Sequence, residues 1–142
     1  MKYWINVLSK DHVAAGIAGG FTQAHGDKAD QLQLLAKGDL IFFYSPGTLF
    51  RAGQILQAFT AIARVVDDAP YQVKGSGKVR PWRRNVKPVT SEEAPVAALI
   101  PDLDFVADKS NWGASLPRSL FEIGADDARR IADAMKAAIG PS

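Results

Sequence analysis

Three tryptophans are the residues of this sequence whose surroundings suggest chemistry beyond packing. Trp4 is two residues from Asn6, Trp112 directly follows Asn111, and Trp82 is flanked by proline and arginine. An indole has a wide π face and one N–H donor, so beside amide and guanidinium groups it can stack on a flat ligand whose edge those groups hydrogen-bond. A nucleobase is such a ligand. The alternative is that each ring belongs to the core or its rim, where its N–H has a structural partner.

The segment around Trp82 is the most basic part of the chain. Residues 74–91 include six basic residues and no acidic one. If this segment is a strand, alternation places Arg84 on the same side as Trp82, and Arg83 on the other side. A cation beside an indole can form a phosphate-contacting rim with a stacking surface. The alternative is an edge strand whose lysines and arginines protect it against aggregation.

The sequence lacks the usual motifs of metal, thiol and nucleotide chemistry. There are no cysteines, so disulfides, thiolate catalysis and cysteine zinc sites are excluded. His12 and His25 have no metal-binding spacing, and neither a nucleophile elbow nor a phosphate-binding glycine loop occurs. The acids Asp67-Asp68 end a predicted strand, and Asp126-Asp127 open a predicted helix, where acids favour the helix dipole. We therefore expect no metal site and no cofactor.

Length and composition predict one ordinary domain. The chain has 142 residues, of which 47% are hydrophobic and 23% charged, and a net charge of +2. A net charge this small does not by itself indicate a protein that binds along duplex DNA. The N-terminus has no apolar signal segment, and the longest apolar runs are far too short to cross a bilayer. We expect a single cytoplasmic domain over residues 1–142 that does not associate with membranes.

Hydrophobic patterning predicts several strands, short helices early in the chain and one helix at its end. In the first strand, Trp4 and Asn6 share one face while Tyr3, Ile5 and Val7 share the other. This order differs from the regular alternation of a doubly wound sheet. In the first part of the chain, the predicted elements are a strand over 2–8, a helix over 12–17 that stops at Gly19-Gly20, an extended piece at 21–23 and a helix over 29–36. Two strands follow, one over 40–44 that Ser45-Pro46-Gly47 stops and one over 55–66. The last elements are a hairpin tip at 75–77, a strand over 79–89 whose prolines confine it to an edge or lie at its ends, an extended segment over 120–123 and a final helix.

Eight short motifs, in order from Tyr3 to about Met135, resemble the EVE domain of the PUA-like superfamily, which is related to YTH and ASCH domains. The motifs are Tyr3 to Val7 with Ser9 to His12, Gly20 to Gln23, Gly38-Asp39 leading to Tyr44-Ser45-Pro46, Gln57 to Ile62, Pro70-Tyr71, Pro81 to Arg84, Asn111 to Gly113 and Leu120 to Ile123. The resemblance implies an α+β fold, a PUA-like mixed β-barrel with short peripheral helices and a C-terminal helix. It also implies a nucleic-acid partner, DNA or RNA, of which one modified base, such as a modified cytosine, enters an aromatic and polar pocket.

Position by position, the resemblance assigns two groups of site residues. The implied pocket residues are Trp4, Asn6, Ser9, Phe21, Thr22, Gln23, Tyr44, Ser45, Asn111 and Trp112. The residues implied to contact the nucleic-acid backbone are Arg83, Arg84 and Arg118, and we place Trp82 with them on the basic rim. The resemblance and the basic run together favour a non-enzymatic reader.

Two other functions fit the sequence. Some ASCH relatives are amidohydrolases on acylated cytidine, and Lys10, Thr22 and Glu122 could supply a base, a nucleophile and an acid for that chemistry. Their spacing does not show that they meet. The other function is a protein-interaction module that uses an exposed edge strand.

Overall fold

The computed structural model of this chain describes residues 1–24, 26–49, 52–74, 80–116 and 120–139. Its elements in chain order are β1 (Tyr3–Val7), α1 (Lys10–Gly19), β2 (Phe21–Ala24), a 3₁₀ helix (Gly26–Leu34), β3 (Leu40–Leu49), β4 (Ala52–Val65), β5 (Tyr71–Gln72), β6 (Trp82–Val89), β7 (Ala94–Pro95), 3₁₀ helices at Val96–Ala98, Ile100–Asp102 and Lys109–Ser115, β8 (Leu120–Ile123) and α2 (Ala125–Ala134).

The strands form one mixed sheet that curls into a half-barrel. The order is β2-β6-β4-β3-β1-β8, with β5 paired to β6 and β7 to β4. The β1–β3 pair is parallel, and the other pairs are antiparallel. Three strands separate β1 from β2 in this order, yet Asn6 Nδ2 on β1 is 3.5 Å from Thr22 Oγ1 on β2. The sheet therefore bends round until these two strands face each other.

Each face of the sheet packs against its own core. We call one the helix-covered core, which contains Ile5, Phe42, Ile62 and Ile131, and the other the barrel core, which contains Trp4, Ile41, Phe43 and Val65. Alternation along β1 and β3 sends neighbouring residues to opposite cores, as predicted for the first strand. Because Asn6 shares its face with Trp4 and approaches Thr22, the barrel core is on the concave side.

The end of α1 determines how the chain enters β2. Gly20 has φ of 76°, the left-handed conformation that glycine adopts without steric cost, and its N–H bonds to the Gly16 and Ile17 carbonyls. A Cβ on Gly16 would lie 2.5 Å from the Phe21 carbonyl oxygen, and one on Gly19 would lie 2.4 Å from the Phe21 ring. These glycines therefore allow α1 to pack directly on β2.

Two predicted elements differ in the structure, and a third matches one of its two predicted alternatives. The segment predicted as a helix over 29–36 forms the 3₁₀ helix Gly26–Leu34. The strand predicted to stop at Ser45 continues to Leu49. A register shift between Ser45 and Gly47 leaves Pro46, which lacks an N–H, out of the pairing with β4. For the strand predicted over 79–89, the sequence left open whether its prolines mark an edge strand or the ends of a strand. The structure has the second arrangement: β6 lies between β2 and β4, Pro81 precedes it and Pro88 is next to last. The predicted hairpin tip at 75–77 lies outside the described residues.

The final helix has the predicted apolar face. Ala128, Ile131, Ala132 and Met135 are buried in the helix-covered core. Buried Asp127, in the first turn, accepts hydrogen bonds from the backbone N–H groups of residues 104 and 105 at 2.7 and 2.9 Å. This acid therefore has a structural role, as the sequence indicated. Among the described residues, none of the helices has the length and apolar character needed to cross a membrane.

Candidate functional site

A cavity of about 520 Å³ opens where the ends of β1 and β2 meet α1 and the first 3₁₀ helix. Residues from both faces of β2 line it, so the cavity reaches around this edge strand. Its volume lies within the range of small-molecule sites, about 300–1,000 Å³. The lining residues are Asn6, Val7, Leu8, His12, Val13, Ala15, Gly16, Phe21, Thr22, Gln23, Ala24, Gln31, Leu32, Phe43, Arg83 and Leu120.

One wall of the cavity carries a cation, an aromatic ring and an amide in mutual contact. Arg83 Nε donates to Gln23 Oε1 at 2.8 Å, and the Arg83 guanidinium carbon lies 3.7 Å from the centroid of the Phe21 ring. Gln23 and Arg83 are register partners in the β2–β6 pair, which fixes their side chains beside each other. The cation–π contact and the hydrogen bond together hold the guanidinium in one orientation. We call Phe21, Gln23 and Arg83 the cationic wall.

The rest of the cavity lining combines a polar pair with a group of buried apolar side chains. Asn6 and Thr22 face each other at 3.5 Å, close to the outer limit of a hydrogen bond, so a ligand group can replace their contact. The buried side chains of Val13, Leu32 and Phe43 form an apolar floor. An apolar base with a few fixed polar groups is typical of a site that orients a small flat ligand.

Arg84 was predicted to contact phosphate, and this prediction is wrong. Its side chain is 0% exposed and points into the barrel. Nε donates to Asp67 Oδ1 at 2.7 Å and Nη2 to the Asp67 carbonyl at 3.0 Å, while Nη1 donates to the carbonyls of Leu32 and Leu35 at 2.7 and 2.5 Å. Alternation along β6 separates it from Arg83, as predicted, but Arg84 takes the inner face and ties the first 3₁₀ helix to the sheet.

Trp4 is a core residue and does not line the cavity. Its side chain is 5% exposed in the barrel core, and its indole N–H donates to Asp39 Oδ2 at 3.0 Å. Buried Asp39 also accepts from the backbone N–H groups of Lys2 and Ala36, both at 2.9 Å. The prediction that Trp4 forms a pocket wall is therefore wrong, because the parallel β1–β3 pairing places this ring in the barrel core. The alternative, that the indole N–H has a structural partner, is confirmed.

Tyr44 and Ser45 also belong to the interior rather than to the cavity. Tyr44 packs edge-on against Phe59 in the helix-covered core, with ring centroids 5.5 Å apart, and burial raises the pKa of its hydroxyl to about 12. Ser45 is buried, and its hydroxyl lies 2.8 Å from that of Thr60. Both were predicted as pocket residues, and the structure places them away from it because β3 continues past Tyr44 in the middle of the sheet.

Asn111 and Trp112 lie on the opposite side of the sheet from the cavity. They occur in the 3₁₀ helix Lys109–Ser115, where Asn111 is exposed and Trp112 packs half-buried against the helix-covered core. The prediction that Trp112 and Trp4 converge on one pocket is therefore wrong. The sheet itself separates the two rings.

The remaining predicted site residues have varied positions. Ser9 precedes α1, and its hydroxyl donates to Asp11 Oδ1 at 2.5 Å. Trp82 is 36% exposed at the start of β6. Arg118 lies outside the described residues.

The cavity thus combines five of the predicted residues with others that the sequence did not single out. The predicted members are Asn6, Phe21, Thr22, Gln23 and Arg83. Its apolar floor was missed, although Phe43 is the register partner of Asn6 in the β1–β3 pair and so shares its face. That relation was hidden because it depends on pairing between distant segments.

Two of the side chains that the hydrolase alternative requires are paired with other residues. Lys10 Nζ is paired with Glu93 Oε2 at 2.5 Å, whereas Glu122 Oε1 is 3.8 Å from Lys2 Nζ. Thr22 is buried beside the cavity. Within the described residues, no group of three or more histidine, cysteine or acidic side chains could hold a metal ion.

The chain is similar over nearly its whole length to proteins of one family. The EVE domain family model matches residues 2–134. A UPF0310 protein of Mycolicibacterium gilvum is 49% identical over 135 residues, covering 95% of this chain and 96% of that protein. A UPF0310 protein of Mesorhizobium japonicum is 46% identical over 137 residues, covering 95% and 92%.

Solved structures of low sequence identity share the fold. The NMR structure of Rpa0253 from Rhodopseudomonas palustris has a TM-score of 0.60 at 17% identity, covering 96% of this chain and 94% of that one. The crystal structure of ASCH from Zymomonas mobilis has a TM-score of 0.57 at 11% identity, covering 93% and 94%. The predicted PUA-like fold class is confirmed. The family match and the identities together show that this chain belongs to the EVE domain family.

Proposed function

We propose that this EVE domain binds nucleic acid and takes one base, turned out of its stack, into the cavity. The observation that carries the proposal is the cationic wall. Phe21 and Gln23 hold the Arg83 guanidinium in place. Because Arg83 is only half-buried, a phosphate can still reach it. A fixed cation at the mouth of an apolar cavity suits a ligand with an anionic backbone and a flat, uncharged base.

Within the cavity, the polar groups suit the edge of a base. Asn6 has both a donor and an acceptor, and Thr22 has a hydroxyl that can do either. A base that enters between them replaces their 3.5 Å contact with bonds to its own edge. The apolar floor beneath excludes water, so a base that leaves one of these groups unpaired is disfavoured by about 1–3 kcal/mol.

We further propose that the preferred base is modified, with a modified cytosine as the first candidate. A methyl group against the apolar floor contributes about 0.8 kcal/mol, which is about fourfold in affinity. Extrusion of a base from a duplex costs a few kcal/mol, whereas an unpaired strand does not incur that cost in full. The domain should therefore prefer a single strand or a mismatched site.

The test is a titration of labelled single-stranded oligonucleotides with plain or modified cytosine or adenine, in DNA and RNA forms and at several salt concentrations. Arg83→Ala is compared with Arg129→Ala, which removes the same charge from the far side of the molecule, where Arg129 pairs with Asp126 at 3.2 Å. We expect Arg83→Ala to weaken binding to every sequence and to lower the salt slope by about 0.7 for each phosphate of the single strand that the variant no longer neutralises.

Arg129→Ala should bind like the wild type. If the two variants reduce affinity equally, only net charge matters and the cavity is not the site. Absence of binding to all oligonucleotides at low salt would refute the proposal as a whole.

A further inference from the structure

Trp82 differs from the other two tryptophans in being accessible. It is 36% exposed, whereas Trp4 is 5% exposed and Trp112 is half-buried against the helix-covered core. Among the described residues, it is the one aromatic side chain in the set of large exposed apolar residues. An indole at the surface offers a π face on which a flat group can stack.

The position of Trp82 relates this ring to the cavity. In the β2–β6 pair Trp82 is the register partner of Ala24, and Ala24 lines the cavity. Directly opposite residues share a face, and their Cβ atoms are about 4.5–5.5 Å apart. The indole is therefore beside a residue of the cavity lining, on the same face of the β2–β6 pair.

Cations flank the indole along the chain and across the neighbouring strand. Arg83, the next residue, belongs to the cationic wall, and exposed Arg80 precedes Trp82 by two positions. Exposed Lys74 follows Val73, whose N–H donates to the Pro81 carbonyl at 3.0 Å, so this lysine is also brought beside β6. Arg83 is on the other face of β6 from the indole, whereas Arg80 precedes it by two positions. A polyanionic strand that leaves the cavity past the start of β6 therefore meets an aromatic ring in the basic part of the chain.

We propose that the Trp82 indole stacks the base next in the strand to the one that the cavity takes. This inference rests on the proposed function. The domain then binds at least two consecutive nucleotides of a single strand, one in the cavity and one on Trp82. A duplex cannot satisfy both positions without losing two base pairs, because each base is already stacked and paired. Stacking on an aromatic side chain corresponds to roughly 5- to 150-fold in affinity for one base.

The experiment uses single-stranded pentamers, in DNA and RNA forms, that carry at the centre the base ranked first in the oligonucleotide titration. An abasic residue replaces the 5′ neighbour, the 3′ neighbour or the central base, so the number of phosphates stays constant. Affinities are measured for the wild type, Trp82→Ala and Trp82→Phe. Near-ultraviolet circular dichroism and thermal unfolding verify that the variants are folded.

We expect one of the two neighbouring abasic sites to lower wild-type affinity about 5- to 150-fold. Trp82→Ala should lower affinity by the same factor on the complete pentamer and no further on that abasic strand, and Trp82→Phe should retain most of the affinity. The inference is overturned if neither neighbouring base matters, or if Trp82→Ala weakens the complete and the abasic strands equally. If the central abasic residue does not change affinity, base capture by the cavity is refuted instead. Failure of the Trp82 inference and failure of the proposed function therefore give different results.

Discussion

Asp67→Ala should be among the most destabilising single substitutions in this fold. The carboxylate accepts from Arg84 Nε at 2.7 Å and from the backbone N–H of Asn85 at 2.7 Å. Its removal leaves a guanidinium that is 0% exposed without a counter-charge. Removal of one partner of a buried ion pair generally costs about 3–5 kcal/mol. Because the Asp67 side chain is 18% exposed, we expect the lower end, about 3 kcal/mol.

For a domain of this length, such a destabilisation lowers the Tm by roughly 10 °C. The assay is urea unfolding followed by circular dichroism, with Asp68→Ala as the matched control, because it removes the neighbouring acid. Asp68→Ala should change the free energy of unfolding by less than about 0.5 kcal/mol. Arg84→Met introduces an apolar chain in place of the cation, so its combination with Asp67→Ala should cost less than the sum of the two single changes.

The reasoning fails if Asp67→Ala costs no more than Asp68→Ala, or if the double variant shows strictly additive destabilisation. Either result would mean that the backbone carbonyls of Leu32, Leu35 and residue 67 are sufficient for the Arg84 guanidinium. The ion pair would then not hold the 3₁₀ helix to the sheet.

Three further predictions concern the cavity and the two cores. Gly19→Ala places a Cβ 2.4 Å from the Phe21 ring and must displace the ring, so oligonucleotide affinity should fall in titration. The control Gly113→Ala, whose Cβ would have no neighbouring atom within 4 Å, should leave the affinity unchanged. Trp112→Ala should destabilise the fold in thermal unfolding without altering base preference, and a change in preference would contradict the assignment of this ring to the helix-covered core. Burial raises the pKa of Tyr44 to about 12, so the stabilisation that its neutral hydroxyl contributes below pH 10 should be lost as the pH rises from 10 to 12. In unfolding measured across this pH range, Tyr44→Phe should lose less stability than the wild type, because it has no hydroxyl to ionise.

Much of the fold follows from local rules in the sequence. The alternation of Ile5 with Trp4 predicted a strand with two different faces, and Gly20 predicted the stop of α1 through its left-handed conformation. The apolar spacing that includes Ile131 predicted the buried face of α2. These features depend on residues close to one another in the chain.

The site was only partly predictable, because it depends on which face of the sheet becomes concave. Alternation correctly separated Arg83 from Arg84, but only the curl of the sheet shows that Arg84 points inward. Trp4 and Trp112 have the same amide neighbours in the sequence, yet the sheet lies between them. The floor residue Phe43 depends on the parallel β1–β3 pairing, which is a long-range feature.

The most direct test of base capture is to fill the cavity from α1. Ala15 is exposed and lines the cavity, whereas its exposed neighbour Ala14 does not belong to the lining. Ala15→Trp should therefore block entry, and Ala14→Trp should add the same side chain on another part of the helix surface. Both are compared with the wild type on single strands that carry a base or an abasic residue at the central position. The account predicts that Ala15→Trp binds the two strands with equal, weak affinity while Ala14→Trp keeps the wild-type difference, and an undiminished preference of Ala15→Trp for the base would contradict it.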